Sequence, residues 1–270
     1  MKTSVTIENV KVICFSPTGT TKKIAKAIAK GIKFKRTEII DISKPEARKS
    51  TPRISNKDLL IVAIPVYMGR LPSFVKEWLQ TIEGCNTPAV CIVMYGNRAF
   101  DNALLELRDT LKNRGCIPFA GAAFVGEHSF SSDEYPSSVG RPDHEDINKA
   151  ELFGNSIFKK LSSIISHDDL SDVKVPGIFP YGGTTELWKV DFIGVNDNCH
   201  HCGICAENCP TGAINFKNSS QIDIQKCILC CACIKNCPHK AKSMKPGLMK
   251  EAAVRCSNFI TRKEPEIFLT

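Results

Sequence analysis

The chain has 270 residues, of which 43 % are hydrophobic, so it is long enough for two folded domains with buried cores. No stretch approaches the roughly 20 apolar residues of a membrane-spanning helix, and the start lacks a basic segment followed by an apolar run. The formal charge of +8 comes from scattered lysines and arginines without an arginine-rich block. The composition therefore predicts a cytoplasmic protein that does not bind nucleic acid and does not span a membrane.

The first segment has the pattern of a strand, a hydroxyl-rich turn and a helix. Val10 to Phe15 is a short apolar run typical of a buried parallel strand, and residues 22–32 place isoleucines and alanines on one helix face. The turn lies at the helix N-terminus, where unpaired N–H groups attract anions, and it lacks the glycines of a dinucleotide loop. It therefore predicts a site for the phosphate of FMN. The candidate residues are Ser16, Thr18, Gly19, Thr20 and Thr21.

Strands and helices then alternate at α/β spacing. Further strands are predicted at residues 37–41, 58–65, 88–95 and 116–125, and helices at 73–82, 100–113 and 143–165. Residues 43–55 contain two prolines, which predicts a short or irregular second crossover. This alternation indicates a parallel sheet covered on both faces.

The turn Ser16-Pro17-Thr18-Gly19-Thr20-Thr21 resembles the flavodoxin phosphate loop, S/T-x-T-G-x-T, and residues 8–167 resemble a flavodoxin domain in their succession of elements. The resemblance implies an α/β flavodoxin-like doubly wound parallel sheet of strand order 2-1-3-4-5. In such a sheet, ligands lie beyond the carboxyl ends of the strands at the switch point. The loops after the third and fourth strands leave at this edge, and they lie where flavodoxins hold the flavin ring. The predicted ring contacts are Pro65, Tyr67, Met68, Gly69, Tyr95, Gly96, Asn97, Arg98 and Phe100. Ordinary packing is the alternative for each aromatic side chain.

Two arginines in these loops, Arg70 and Arg98, have no acidic neighbour between Pro65 and Phe100 outside the intervening helix. Cations beside the ring would stabilise reduced, anionic flavin and raise its potential. The alternative is that both arginines are solvated or bind a substrate anion. The long loop at residues 126–142 leaves the same sheet edge, so His128 is a candidate proton donor to flavin or substrate, with a structural role as its alternative.

The C-terminal part carries two copies of C-x2-C-x2-C-x3-C-P, the spacing of a two-cluster ferredoxin, in which the fourth cysteine of each run ligates the cluster of the other run. One predicted ligand set is Cys199, Cys202, Cys205 and Cys237, and the other is Cys227, Cys230, Cys233 and Cys209. Structural zinc needs four ligands, usually in two separated pairs, and so explains only half of this pattern. The adjacent Cys231 is predicted to be a spare thiol, with a one-residue slip of the second loop, which would make it a ligand, as the alternative. The remaining cysteines, including Cys85 and Cys256, are predicted to be small buried hydrophobes.

The whole chain is similar to a family of anaerobe proteins that fuse a flavodoxin domain to a C-terminal two-cluster ferredoxin, here a small α+β ferredoxin-like domain. We divide it into a flavodoxin-like domain at 1–167, a docking linker at 168–195, a ferredoxin domain at 196–248 and a tail at 249–270 that packs on the body. The expected cofactors are two [4Fe-4S] clusters and FMN.

The predicted function is electron transfer between two [4Fe-4S] clusters and FMN, linked to ferredoxin or another oxidoreductase, with an unidentified acceptor. One alternative is an FMN-dependent oxidoreductase fed by ferredoxin, which reduces a small acceptor such as a quinone, an oxygen species or an organic substrate. Another is a flavin-free ferredoxin in which the flavodoxin-like domain serves only for docking. The sequence leaves a homodimer open.

Overall fold

The computed structural model describes residues 7–34, 36–183 and 187–270. Its N-terminal part alternates strands and helices in the predicted order. The strands are β1 (Asn9–Cys14), β2 (Arg36–Asp41), β3 (Asp58–Pro65), β4 (Thr87–Tyr95) and β5 (Cys116–Val125), and the helices are α1 (Thr20–Gly31), α2 (Ser73–Leu79), α3 (Ala103–Asn113) and α4 (His144–Ser163). The second crossover holds only a 3-10 turn at Pro45–Arg48, as its prolines predict.

The five strands pair in parallel in the order β2-β1-β3-β4-β5, which confirms the predicted flavodoxin-like sheet. A sixth strand was not predicted. The tail residues Glu266–Leu269 run antiparallel to β5, with Ala120 opposite Leu269 and Ala123 opposite Glu266. The tail thus covers what would otherwise be an edge of the sheet.

The sheet is buried on both faces. α1 and α4 cover one face around Ile24, Ile28 and Phe153, while α2 and α3 cover the other around Val75 and Leu107. The central strands accordingly read as continuous apolar runs, as expected for parallel strands that have helices on both sides.

The C-terminal part is small and built around the cysteine loops. Its elements are β6 (Ile193–Val195), α5 (Ile204–Glu207), α6 (Ala232–Lys235), β7 (Lys242–Met244), α7 (Leu248–Ser257) and β8 (Glu266–Leu269), the tail strand already described. β6 pairs antiparallel with β7. No helix in the described part of the chain is long and apolar enough to cross a membrane.

The two parts of the chain share one apolar core. Ile228, Cys230 and Ala232, from the second cysteine loop, belong to the same buried cluster as the side chains between the sheet and α2 and α3. Ion pairs between Lys44 and Glu207 (2.9 Å) and between Lys235 and Glu127 (2.5 Å) also join the two parts. The cysteine loops are therefore packed against the carboxyl edge of the sheet.

Candidate cofactor sites

The predicted phosphate loop lies at the N-terminus of α1. Gly19 has a φ of 89°, a left-handed conformation that glycine adopts without steric cost, and the helix begins at Thr20. The Oγ of Ser16 accepts the N–H of Lys22 at 3.0 Å, and the carbonyl of Gly19 accepts the N–H of Lys23 at 3.2 Å. The N–H groups of Thr20 and Thr21 lie in the first turn, where a helix offers no carbonyl acceptor and its dipole favours an anion.

A cavity of about 50 Å³ opens at this helix start, and we call it the phosphate cavity. Of the predicted loop residues, Thr18, Thr20 and Thr21 line it together with Pro17, whereas Ser16 and Gly19 do not. The Ser16 hydroxyl instead contacts the first turn of α1, where it accepts the N–H of Lys22. Pro65 also lines this cavity rather than the ring site.

A larger cavity of about 220 Å³ adjoins the first, and we call it the ring cavity. Six predicted ring contacts line it: Tyr67, Met68, Gly69, Tyr95, Gly96 and Arg98. The two cavities share Tyr67, Tyr95, Gly96 and His128 in their walls. They therefore form one continuous cleft with a polar end for a phosphate and an apolar end for a flat aromatic ring.

Two predicted ring contacts lie elsewhere. Phe100 is buried behind Tyr95, with the ring centroids 5.5 Å apart, and does not reach the cavity. The side chain of Asn97 turns to the tail, where its Nδ2 donates to the carbonyls of Phe259 (2.6 Å) and Thr261 (2.9 Å). The Asn97 side chain therefore anchors the tail, which the sequence pattern did not indicate.

Both arginines of the predicted cationic wall pair with carboxylates. Arg70 is buried and forms two 2.8 Å hydrogen bonds to the carboxylate of Glu106, a residue of α3 that is distant in sequence. Arg98 lines the ring cavity but pairs with Asp101. Glu106 also pairs with Lys76 at 2.9 Å, so a net positive charge remains in that group, but Arg70 does not line the ring cavity. That the arginines raise the flavin potential stays a prediction.

The rest of the ring cavity is a roof supplied by the C-terminal part of the chain. It consists of Leu187, Trp188, Ile228, Leu229, Met249, Ala252 and Cys256, with Phe130 beside them. Sequence reasoning missed these residues, since nothing in their local pattern indicates a flavin. The roof comes from three segments: the linker, the loop between Cys227 and Cys230, and α7.

His128 lines both cavities and contacts Cys256 in the roof. Its Nδ1 accepts the N–H of Phe130 at 3.0 Å, so the proton of the neutral ring lies on Nε2, 3.5 Å from the Cys256 Sγ. Burial, assisted by the nearby Lys235 charge, lowers the pKa of His128 to about 4. The ring is therefore neutral at pH 7, which argues against an imidazolium proton donor there.

Cys256 lines a cavity and Cys85 is exposed, so neither is the fully buried hydrophobe that was predicted.

The cysteine runs form two further cavities. One is lined by the four cysteines of the first predicted ligand set, Cys199, Cys202, Cys205 and Cys237, which we call the outer set. The other is lined by Cys209, Cys227, Cys230 and Cys233, which we call the inner set. In each case the structure brings three cysteines of one run together with the fourth cysteine of the other run, as the crossed pattern predicts.

The surroundings of these thiols suit iron-sulfur clusters. Burial raises the pKa of Cys230 and raises that of Cys233 to about 12, so their thiolates would need a bound cation for stability. Within the described residues, no three His, Cys, Asp or Glu side chains converge closely enough to hold a single metal ion.

Cys231 lines the inner cavity as well, but its thiol donates towards the carbonyl of Leu229 at 3.8 Å. It is 2 % exposed and packs in a small apolar cluster with Phe192, Ile193 and Met249. These contacts fit the spare thiol of the sequence prediction.

The inner cavity and the ring cavity share a wall. Ile228, which lies between two cysteines of the inner set, lines both cavities. Tyr67 stands on the same boundary: burial and the neighbouring thiols of Cys230 and Cys227 raise its pKa well above the ordinary value. A single residue layer thus separates the two candidate cofactor sites.

A family model described as a flavodoxin domain matches residues 11–126, and one described as a 4Fe-4S binding domain matches residues 194–215. The chain combines a flavodoxin domain with a 4Fe-4S domain. This pair implies flavin, at least one 4Fe-4S cluster, electron transfer and redox partners for the chain. The predicted fusion of these two domain types is thereby confirmed.

Solved flavodoxins resemble the flavodoxin domain. An archaeal flavodoxin is 16 % identical with a TM-score of 0.40, covering 57 % of this chain and 99 % of its own. The flavodoxin of Streptococcus pneumoniae TIGR4 is 17 % identical with a TM-score of 0.38, covering 56 % and 99 %. That of Fusobacterium nucleatum, bound to flavin mononucleotide, is 14 % identical with a TM-score of 0.37, covering 59 % and 100 %. No curated protein matches the chain.

Proposed function

We propose that the chain binds one FMN and two [4Fe-4S] clusters and transfers electrons between them. FMN would lie in the cleft, with its phosphate at Thr18, Thr20 and Thr21 and its ring between Tyr67 and Tyr95. The outer and inner cysteine sets would each ligate one cluster. This assignment keeps the division of the chain at residues 167, 195 and 248.

The shared wall at Ile228 carries the proposal. Electrons pass efficiently only over short distances, and the inner cavity is one residue layer from the ring cavity. Clusters exchange single electrons and flavin one or two, so the inner cluster would connect one-electron flow to the flavin. The apolar side chains of Ile228 and Leu229 would exclude water from this boundary.

The roof over the ring cavity determines how partners reach the chain. Because α7 and the loop between Cys227 and Cys230 cover the cavity, a large protein would meet the clusters more readily than the ring. Cys202 of the outer set is exposed, whereas Cys230 of the inner set is buried. A protein partner, ferredoxin or an oxidoreductase, would therefore exchange electrons at the outer cluster, and only a small acceptor would enter the cavity.

Cofactor analysis after anaerobic purification tests the proposal. About eight irons and one FMN per chain are expected. Iron without flavin would favour the alternative in which the flavodoxin domain only docks, and about two zincs would overturn the cluster assignment.

Single cysteine variants test the ligand sets. Cys209→Ser should remove the inner cluster and about half of the iron, because Cys209 comes from the other run and closes that set. Cys231→Ser is the matched control and should retain all of the iron. Full iron in the first variant, or its loss in the second, would show that the second run uses a different ligand.

A further inference from the structure

One buried position differs between the two cysteine runs and lines the cavity of a cysteine set in each of them. Five residues after Cys209 stands Ile214, and five residues after Cys237 stands Lys242. Ile214 lines the inner cavity and Lys242 lines the outer cavity. They are 7 % and 4 % exposed, so an apolar side chain in one repeat is replaced by a buried ammonium group in the other.

The backbone around the two positions is equivalent. The N–H of Ala213 donates to the Sγ of Cys209 at 3.2 Å, and the N–H of Ala241 donates to the Sγ of Cys237 at 3.3 Å. Each fourth cysteine thus receives the same hydrogen bond from the residue four positions later. The two repeats therefore have the same backbone arrangement here, and they differ in the charge of the Lys242 side chain.

Lys242 is held in place but its charge is not neutralised by a carboxylate among the described residues. Its Nζ donates to the carbonyl of Ser219 at 2.7 Å. The Oγ of Ser219 is also buried and has no hydrogen-bond partner within the described residues. A buried charge is costly unless an opposite charge lies nearby, and a four-thiolate cluster carries about two negative charges when oxidised. A cluster on the outer cysteine set would supply the negative charge that offsets the Lys242 ammonium group.

Reduction adds one more negative charge to a cluster. A nearby buried cation stabilises this charge more strongly than an exposed one, because less water screens it. Net charge, hydrogen bonds to sulfur and solvent exposure all set cluster potentials. The exposed Cys202 acts in the same direction as Lys242, whereas the walls of the inner cavity are mostly apolar.

We propose that Lys242 makes the outer cluster the one of higher reduction potential, so that the first electron taken up by the cluster pair resides there. The inference rests on the proposed function, since it needs both clusters. Lys242 acts through its positive charge, which stabilises the reduced cluster, and does not ligate iron.

Three other cations lie near the inner set and would raise the potential of its cluster instead. Lys235 acts on Cys231 but is paired with Glu127. Lys189 acts on Cys227 but is exposed and donates to the carbonyl of Gln225. Arg48 donates to the carbonyls of Pro210 and Ile42 and stacks on Phe74. Lys242 is the most deeply buried of these cations. It lines the outer cavity and also acts on Cys233 of the inner set, so its neutralisation should lower both potentials, the outer one more.

A redox titration followed by EPR tests the proposal on the anaerobically purified chain. Wild type should show two resolved cluster potentials. Lys242→Ile, which copies Ile214, should lower the higher potential by about 59 mV. This shift corresponds to a tenfold change in the equilibrium constant of a one-electron reduction. Lys242→Arg should restore the higher potential, and Lys189→Gln should leave it unchanged. If Lys242→Ile loads less iron, Lys242→Met, which is closer in length, carries the same test.

The inference is wrong if both neutral variants keep the wild-type potentials, or if only the lower potential moves. These outcomes differ from failure of the proposed function, which would appear first as fewer than about eight irons or no FMN in the wild-type protein.

Discussion

At the scale of single residues, the phosphate cavity depends on the hydroxyls that follow Gly19. Thr20→Val removes one hydroxyl while keeping the side-chain shape, and a hydrogen bond to a charged group contributes about 1.5–3 kcal/mol. We expect FMN to bind about tenfold or more weakly, as measured by fluorescence titration of the flavin-depleted protein. Riboflavin, which lacks the phosphate, is the matched ligand and should bind equally to both proteins. A similar loss for riboflavin would place the phosphate elsewhere.

His128 should make stability depend on pH. Its folded pKa of about 4 lies below the ordinary value of 6.5, so the unfolded chain binds more protons between these values. Stability is therefore fully present above about pH 6.5 and falls as the pH drops towards 4. We expect His128→Gln to flatten the dependence of the urea unfolding free energy between pH 5 and 7, measured anaerobically.

An unchanged slope in His128→Gln would show that another group titrates in this range.

The predicted residues that the structure brings together in the cavities are those with a local signature. The threonines of the loop and the eight cysteines carry their spacing in the chain itself. Asn97 and Arg70 were assigned to the ring because their loops leave the right sheet edge. Their side chains turn away because Phe259 and Glu106, which are distant in sequence, offer carbonyl and carboxylate acceptors.

At the scale of elements, α7 is the part of the fold that the sequence did not place. Its buried residues are few, Met249 and Ala253, so its apolar pattern is weak. Likewise, β8 is four residues long and gains its conformation from pairing with β5. Both elements depend on long-range contacts, whereas β3, β4 and β5 are nearly continuous apolar runs that indicate buried parallel strands from the sequence alone.

The role of α7 as a roof is tested by filling the cavity beneath it. Ala252 lines the ring cavity, so Ala252→Phe should occupy space that the ring needs and lower the flavin content at least severalfold while the iron content stays the same. Val254→Phe, on an exposed position of the same helix, should keep both cofactors. Flavin retained in Ala252→Phe would place the ring away from α7.

At the scale of the whole molecule, the proposed electron transfer would join the clusters to a flavin site that the C-terminal part of the chain covers. Ile228, Cys230 and Ala232 pack into the core of the flavodoxin domain, so the cysteine loops are fixed against the ring cavity rather than tethered at a distance. The sequence predicted docking of the two domains but not that a cysteine loop itself walls the cavity. That contact depends on how the domains pack, which spacing alone does not encode.

The central claim, electron transfer between clusters and flavin within one chain, is tested most directly by rapid mixing. The oxidised, fully loaded protein is mixed anaerobically with less than one equivalent of a one-electron reductant, and the cluster and flavin absorbances are followed. The account predicts that the clusters bleach first and recover as the flavin takes up the single electron and shows the absorbance change of one-electron reduction, at a rate independent of protein concentration. A rate proportional to protein concentration, or clusters that stay bleached beside oxidised flavin, would contradict it.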